Sequence, residues 1–311
     1  MKCIFGIDLG GTQIKIGKFI DGKLVLKYAI DTDVSDNGKN IINDICVTIE
    51  KNLNSDTLIG IGIDVPGPVK DGWVLGAQNI GWKSVNVKEE ISNRFPNVLV
   101  EVLNDANAAL YGEYYCGGAK GYKNVVMMTL GTGLGGGIII DGKVYEGANG
   151  SSGEIGHICI DKNGRDCTCG LKGCVEQYTS AVGILRTANE MRKSCGKETM
   201  LNKENLTCKD VFDFAKLGDE FALEVIEDVT DKLAIGAAAV CNTLNPDLML
   251  VGGGVSKAGE FLLERLEKKF KKYAFYSVRD TKFALAKLGN DAGIFGSFYS
   301  VWCKVDESSN L

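Results

Sequence analysis

The side chains best suited to chemistry lie in one short stretch: Glu154-Ile-Gly-His157, then Cys167-Thr-Cys169, Cys174 and Glu176. His157 is the only histidine in 311 residues, and it stands beside the one close cluster among eleven cysteines. Three thiolates and an imidazole make a full tetrahedral zinc set, His157, Cys167, Cys169 and Cys174. Four protein ligands leave no open position for water, so a zinc ion held there is structural rather than catalytic. Gly170 and Gly173 suit a chain that folds back on a metal. Chance clustering of cysteines is the alternative; a histidine used once, and used here, favours zinc.

A second group of candidates consists of backbone. Gly10-Gly11-Thr12, Gly131-Thr132-Gly133 and Gly252-Gly253-Gly254 each follow an apolar run that reads as a buried strand. Such turns expose N–H groups that suit phosphate oxygens, although hairpins also use glycine for geometry alone. Three of them at strand ends favour a bound nucleotide. Neither a phosphate loop ending Gly-Lys-Ser/Thr nor the spaced three-glycine dinucleotide fingerprint is present. The third candidate is Asn104-Asp105, which closes one apolar strand and opens a helix. Asn and Asp are favoured helix caps in any protein, and a helix N-terminus stabilises a carboxylate without making it a strong base. Yet strand ends are where open α/β sheets collect ligand groups, and phosphoryl transfer needs a carboxylate to accept a hydroxyl proton. The local sequence leaves both readings open; beside the glycine turns and the zinc loop, the catalytic one leads.

These residues need elements to position them. Alternating apolar residues predict strands over 3–8, 13–20, 24–30, 58–65 and 98–103, with helices over 40–52, 87–94 and 106–115. Between 66 and 86 a polar loop is expected. The second half repeats the opening: strands over 124–130 and 135–140 flank the second glycine turn, and Asp141-Gly142-Lys143 answers Asp21-Gly22-Lys23. Helices follow over 175–194, 211–217, 220–244 and 257–273, with strands over 247–251 and near Phe283 and a closing helix from Ala292. Strands and helices alternate, so the class is α/β.

Composition removes several functions. A net charge of −5 argues against a non-specific nucleic-acid binder. An odd count of eleven cysteines without framework spacing fits reduced thiols in a cytoplasm. No apolar run reaches the ~20 residues a membrane span needs, and a strand pattern begun by Ile4 leads us to expect no signal peptide.

The hairpin setting of the first two turns resembles the sugar-kinase and actin-like (ribonuclease H-like) superfamily, in which two such domains face each other across an interdomain cleft. That resemblance puts Gly10, Gly11, Thr12, Lys15, Gly131, Thr132 and Gly133 near phosphates, and Asp8 at a water-mediated Mg²⁺. More narrowly, Asp8-Leu-Gly-Gly-Thr12, Asn104-Asp105, Leu130-Gly-Thr-Gly-Leu-Gly-Gly-Gly137 and Glu154 to Glu176 together resemble the ROK family of bacterial sugar kinases and repressors over essentially the whole chain. The last stretch is highly specific to that family. The resemblance implies a small domain over 1–116, a large one over 117–290 with the zinc loop at 157–174, and a helix over 291–311 that packs back on the first. It implies Asp105 as the base taking the proton of a hexose 6-hydroxyl as it attacks the γ-phosphate of Mg-ATP. Asn104, Glu154, His157 and Glu176 would bind the sugar, with Gly67 and Asn79 at the pocket edge and Gly253 and Gly254 beside adenosine. Asn79-Ile-Gly-Trp82 looks most like the glucokinase group of the family, which makes glucose the first substrate and glycolysis the setting. Fructose, allose, mannose, N-acetylglucosamine and N-acetylmannosamine stay open, because single hydroxyls decide between them. The family's repressors carry a helix-turn-helix ahead of the first turn; a turn starting so early in an acidic chain implies the kinase branch over a sugar sensor, with a homodimer or homotetramer expected and neither nucleic acid nor membrane as partner.

Overall fold

The opening strand, β1 (Lys2–Leu9), runs antiparallel to β2 (Gln13–Ile20), and β2 antiparallel to β3 (Lys23–Asp31). Asp21 and Gly22 between β2 and β3 have φ of 49° and 75°, the paired left-handed conformation that a two-residue hairpin turn requires. Helix α1 (Ile41–Leu53) buries Ile41, Ile45 and Ile49 on one face, and β4 (Thr57–Val65) then returns parallel to β1. Where a loop was expected, β5 (Val69–Lys70), β6 (Trp73–Val74) and β7 (Val85–Asn86) make a small antiparallel sheet. Strands of two residues are too short to show an alternating period. Helix α2 (Val87–Arg94), β8 (Leu99–Asn104) parallel to β4, and α3 (Asp105–Cys116) follow.

The structure is a computed structural model describing residues 1–194 and 198–309. The pattern recurs with β9 (Val125–Leu130) antiparallel to β10 (Leu134–Ile140). Asp141 and Gly142 repeat the turn, with φ of 49° and 80°, before β11 (Lys143–Val144). Helices α4 (Glu176–Thr179), α5 (Ala181–Ser194), α6 (Cys208–Lys216) and α7 (Glu220–Leu244) come next. Strand β12 (Leu248–Gly252) lies parallel to β9, and after α8 (Glu260–Tyr273), β13 (Lys282–Leu285) lies parallel to β12. The two sheets have orders β3-β2-β1-β4-β8 and β11-β10-β9-β12-β13. Strand for strand this is one plan used twice, as the repeated turns predict.

Helix α9 (Ala292–Ser309) closes the chain against the first sheet. Phe298 stacks on Phe19 at 4.0 Å between ring centres, with Ile4, Ile294 and Val301 completing a buried cluster. Gly62 on β4 and Gly112 on α3 let α9 approach, because a Cβ at either would strike a backbone carbonyl of Ser297 or Ala292. Positions 310 and 311 of the expected helix lie outside the described residues.

The chain divides into one unit of Met1–Gly121, Val144–Ser152 and Leu288–Leu311, and a second of Tyr122–Lys143 and Gly153–Lys287. The boundaries expected at 116/117 and 290/291 fall at 121/122 and 287/288, and Val144–Ser152 is a further departure. Val144–Ser152 belongs with the first unit, since the Val144 N–H donates to the Tyr111 hydroxyl at 3.2 Å and Gly150 packs on the backbone of Val69. The helix expected over 175–194 is also two helices. Ser180 between them is extended (φ −69°, ψ 165°), and its hydroxyl accepts the Gly183 N–H at 3.1 Å, which caps the start of α5. Each unit has its own apolar core. Among the described residues no helix is long and apolar enough to cross a membrane.

Candidate active site and metal centre

Parallel register sets Asp8, at the end of β1, opposite Asp64 on β4. Lys15 Nζ lies 2.7 Å from Asp8 Oδ2 and donates to the Asn290 carbonyl at 3.1 Å. Lys15, expected near phosphates, is thus already paired with Asp8. Asp64 is 1% exposed; its Oδ2 accepts the Ser297 hydroxyl at 2.9 Å, while its Oδ1 is buried without a hydrogen-bond partner. Burial first, and then the charges of Asp8 and Asp105, hold the Asp64 carboxyl well above the ordinary aspartate range. The first turn of α9 comes close: a Cβ on Gly293 would sit 2.7 Å from Asp64 Oδ2 and 3.0 Å from Asp8 Cγ. A helix N-terminus beside two carboxylates offsets part of their repulsion.

Asn104 ends β8 and caps α3, its Oδ1 accepting the Ala106 N–H at 3.0 Å. Its amide donates to the Gly67 carbonyl at 3.0 Å and to Asp105 Oδ1 at 2.9 Å, so one side chain ties the Gly67 loop to the carboxylate. Gly67 itself has φ of +105°, and a Cβ there would strike the Gly76 carbonyl, a position open to glycine alone. Asp105 reaches solvent, yet desolvation by the surrounding protein raises its carboxyl above the usual range, against the lowering effect of the Ala106 N–H, with Asp8 adding to the rise. Asn79 packs on the first turn, its Nδ2 lying 3.3 Å from where a Cβ of Gly11 would stand. The first turn is closed by Thr32, whose hydroxyl donates to the Gly10 carbonyl at 2.7 Å. The first unit therefore gathers Asp8, Gly10, Gly11, Thr12, Lys15, Gly67, Asn79, Asn104 and Asp105.

In the second unit, ligand atoms of His157, Cys167, Cys169 and Cys174 all lie within 4.8 Å of one another. Cys169 Sγ is 3.7 Å from Cys174 Sγ, and Cys167 Sγ is 3.7 Å from His157 Nδ1. A tetrahedron with zinc–sulfur bonds of about 2.3 Å has edges of about 3.8 Å, so the donor set fits zinc. Gly173 makes the return possible with φ of +70° and the Asp161 carbonyl pressed against it. Burial pushes the Cys174 thiol up, so at neutral pH it keeps its proton until a metal displaces it. The ring leaves Nε2 free of the cysteines, 3.8 Å from Glu154 Oε2. Glu176 Oε2 accepts the Leu134 N–H at 3.2 Å, and its Oε1 lies 3.3 Å from Gln177 Nε2. Gln177 Nε2 also points at Cys167 Sγ at 3.5 Å, a donor of the kind that steadies a metal thiolate. Glu176 thus joins the metal loop to the second glycine turn, where a Cβ on Gly133 would come within 2.9 Å of Oε2.

That turn and the one after β12 border a cavity of about 470 Å³ lined by Gly131, Thr132, Gly254, Val255, Phe212 and Cys208 among others. Gly253 has φ of +84° and lies against the backbone of Leu130, which draws the third turn onto the end of β9. Gly254, by contrast, has open space where a Cβ would be. Polar turns at one end and an apolar helix face along the side form a place that suits a ring system carrying phosphates.

The family model for ROK matches residues 4–303. The chain belongs to the ROK family. It is 40% identical over 310 residues to a glucokinase of Halalkalibacterium halodurans, covering 95% of this chain and 94% of that one. It is also 31% identical over 306 residues to a putative xylose repressor of Caldicellulosiruptor, covering 94% of this chain and 76% of that protein. Among solved structures, a ROK family glucokinase from Streptomyces griseus, crystallised with glucose and AMPPNP, superposes with a TM-score of 0.75 at 31% identity, over 95% of this chain and 98% of the other.

Within this ROK fold two features escaped the sequence reading. Asp64 looked like part of an apolar strand, and only the parallel ladder brings it beside Asp8. The cavity wall from Cys208 to Lys216 was expected to start three residues later, at 211, because the Thr207 cap and its capping box with Asp210 were overlooked. Cys208, Phe212 and Lys216 at helical spacing were the available signal.

Proposed function

We propose that this ROK protein transfers the γ-phosphate of Mg-ATP to the 6-hydroxyl of a hexose, glucose first, with Asp105 as general base. The chain is a sugar kinase by family and by its curated relatives. The observation that carries the finer reading is Asp105 itself: a solvent-reaching carboxylate at a strand end, aimed by Asn104 and raised above its ordinary range. A raised carboxylate is the better proton acceptor. It need act only as the hydroxyl oxygen bonds to phosphorus, because this chemistry depends chiefly on position and charge.

The remaining residues take roles of orientation. Both amide hydrogens of Asn104 are engaged, so its part toward the sugar is to aim Asp105 and the Gly67 loop, with Asn79 at the same edge. Glu154, His157 through Nε2, and Glu176 would hold ring hydroxyls. The turns at Gly10–Thr12 and Gly131–Gly133 would offer N–H groups to phosphate oxygens, and the cavity beside Gly253 and Gly254 would take the adenosine. Asp8 would hold Mg²⁺ through water, with Lys15 beside it; the cation supplies charge neutralisation on the transferred group. Zinc on His157, Cys167, Cys169 and Cys174 would fix the loop, since four protein ligands complete its shell. A coupled assay for ADP release with ATP, Mg²⁺ and a panel of hexoses tests this, and absence of turnover on every hexose would overturn it.

A further inference from the structure

Cys159 has no part in the chemistry above, yet it forms an isolated antiparallel bridge with the zinc-set residue Cys174. The Ile160 N–H donates to the Gly173 carbonyl and the Val175 N–H to the Ile158 carbonyl, each at 2.9 Å. These two bonds flank the cysteines, so the pair occupies a non-hydrogen-bonded position of the bridge. Directly opposed residues there share a face with Cα atoms about 4.5 Å apart, inside the roughly 4.4–6.8 Å range that disulfides span. Both thiols are free; Cys159 is exposed and Cys174 buried. An exposed cysteine is therefore paired across the strands with a candidate metal ligand.

We propose that Cys159 and Cys174 are a hydroperoxide-sensitive pair whose disulfide removes Cys174 from the zinc set and releases the metal. The proposal rests on the zinc reading given above. The Cys159 thiolate attacks the peroxide; an S–O bond forms, the O–O bond breaks and hydroxide leaves, giving a sulfenic acid. The Cys174 sulfur then attacks that sulfur, the S–O bond breaks and a second hydroxide leaves as the S–S bond forms. Two sulfurs give up two electrons, the peroxide takes them, and both oxygens end as water. Where Cys174 enters as a metal-bound thiolate, the proton it lacks comes from solvent. His157, Cys167 and Cys169 alone would then remain to hold a zinc ion, an incomplete shell for a structural site. His157 and Glu176, two residues before and after the new link, lose the metal that orients them. A dithiol with added zinc reverses the change.

The test treats zinc-loaded protein with hydrogen peroxide while a chromogenic indicator reports freed zinc, followed by alkylation and peptide mass mapping. Wild type is expected to release about one zinc per chain with a mapped Cys159–Cys174 link. Cys159→Ser should start with the same zinc content, show no such link and release metal at least about tenfold more slowly. Equal release rates for the two proteins, or a link confined to Cys167 and Cys169, overturn the proposal. If the purified protein contains no zinc, the metal reading falls, and the mapped link alone decides whether Cys159 and Cys174 pair.

Discussion

Asp105 and Asp64 lie at the ends of the neighbouring strands β8 and β4, and desolvation raises both, yet they call for opposite tests. For Asp105→Asn the loss of the proton acceptor should lower kcat at least about 100-fold with a small change in sugar KM. The raised carboxyl also predicts the acid side of the pH profile: kcat/KM should fall as pH drops through a midpoint above the ordinary aspartate value of about 3.9. Asp64 is a matter of stability. Its folded-state pKa lies above the unfolded value, so the native state binds the extra proton. Stability is therefore fullest below the unfolded value and declines as pH rises through the folded one. Asp64→Asn should raise Tm at pH 7 in metal-free protein by at least about 2 °C and flatten that decline. A Tm that falls would mean the ionised carboxylate has a partner in solution. No feature of residues 57–65 taken alone marks Asp64; its neighbours arrive by strand register from far along the chain.

At the scale of elements, the metal loop was legible because ligand spacing is local, and the hairpins because Asp-Gly turns carry their own geometry. The two-residue strands β5, β6 and β7 and the break at Ser180 were not, since neither is long enough to impose a period. The Glu176 link between metal loop and glycine turn could not be read from spacing either; its two partners are distant in sequence. It gives a prediction. Cys169→Ala should raise the sugar KM as well as lower Tm, because loss of zinc frees His157 and shifts Glu176. Steady-state kinetics on the folded variant decide it, and an unchanged KM would reduce the metal to a staple. The wall of α6 gives another: Phe212→Ala should raise the KM for ATP several-fold and leave that for sugar nearly unchanged.

Across the whole molecule, one sheet plan serves twice around two separate apolar cores. The repeat was visible as matched turns, whereas the return of Val144–Ser152 to the first unit depends on contacts such as Tyr111 to Val144 that no motif announces. Since the candidate zinc ligands all lie in the second unit, chelation should lower the stability of that unit first and broaden or split the calorimetric transition. A single sharp transition at unchanged temperature would contradict a folding role for the metal. The chain is a sugar kinase by its family and its glucokinase relatives, so its hexose and its base are the properties to measure. The most direct measurement is glucose-dependent ADP release at saturating Mg-ATP, for the wild type and Asp105→Asn side by side. The account predicts turnover by the wild type and at least about a 100-fold loss in the variant. Equal rates in the two proteins, or no turnover by the wild type on glucose or any other hexose, would contradict it.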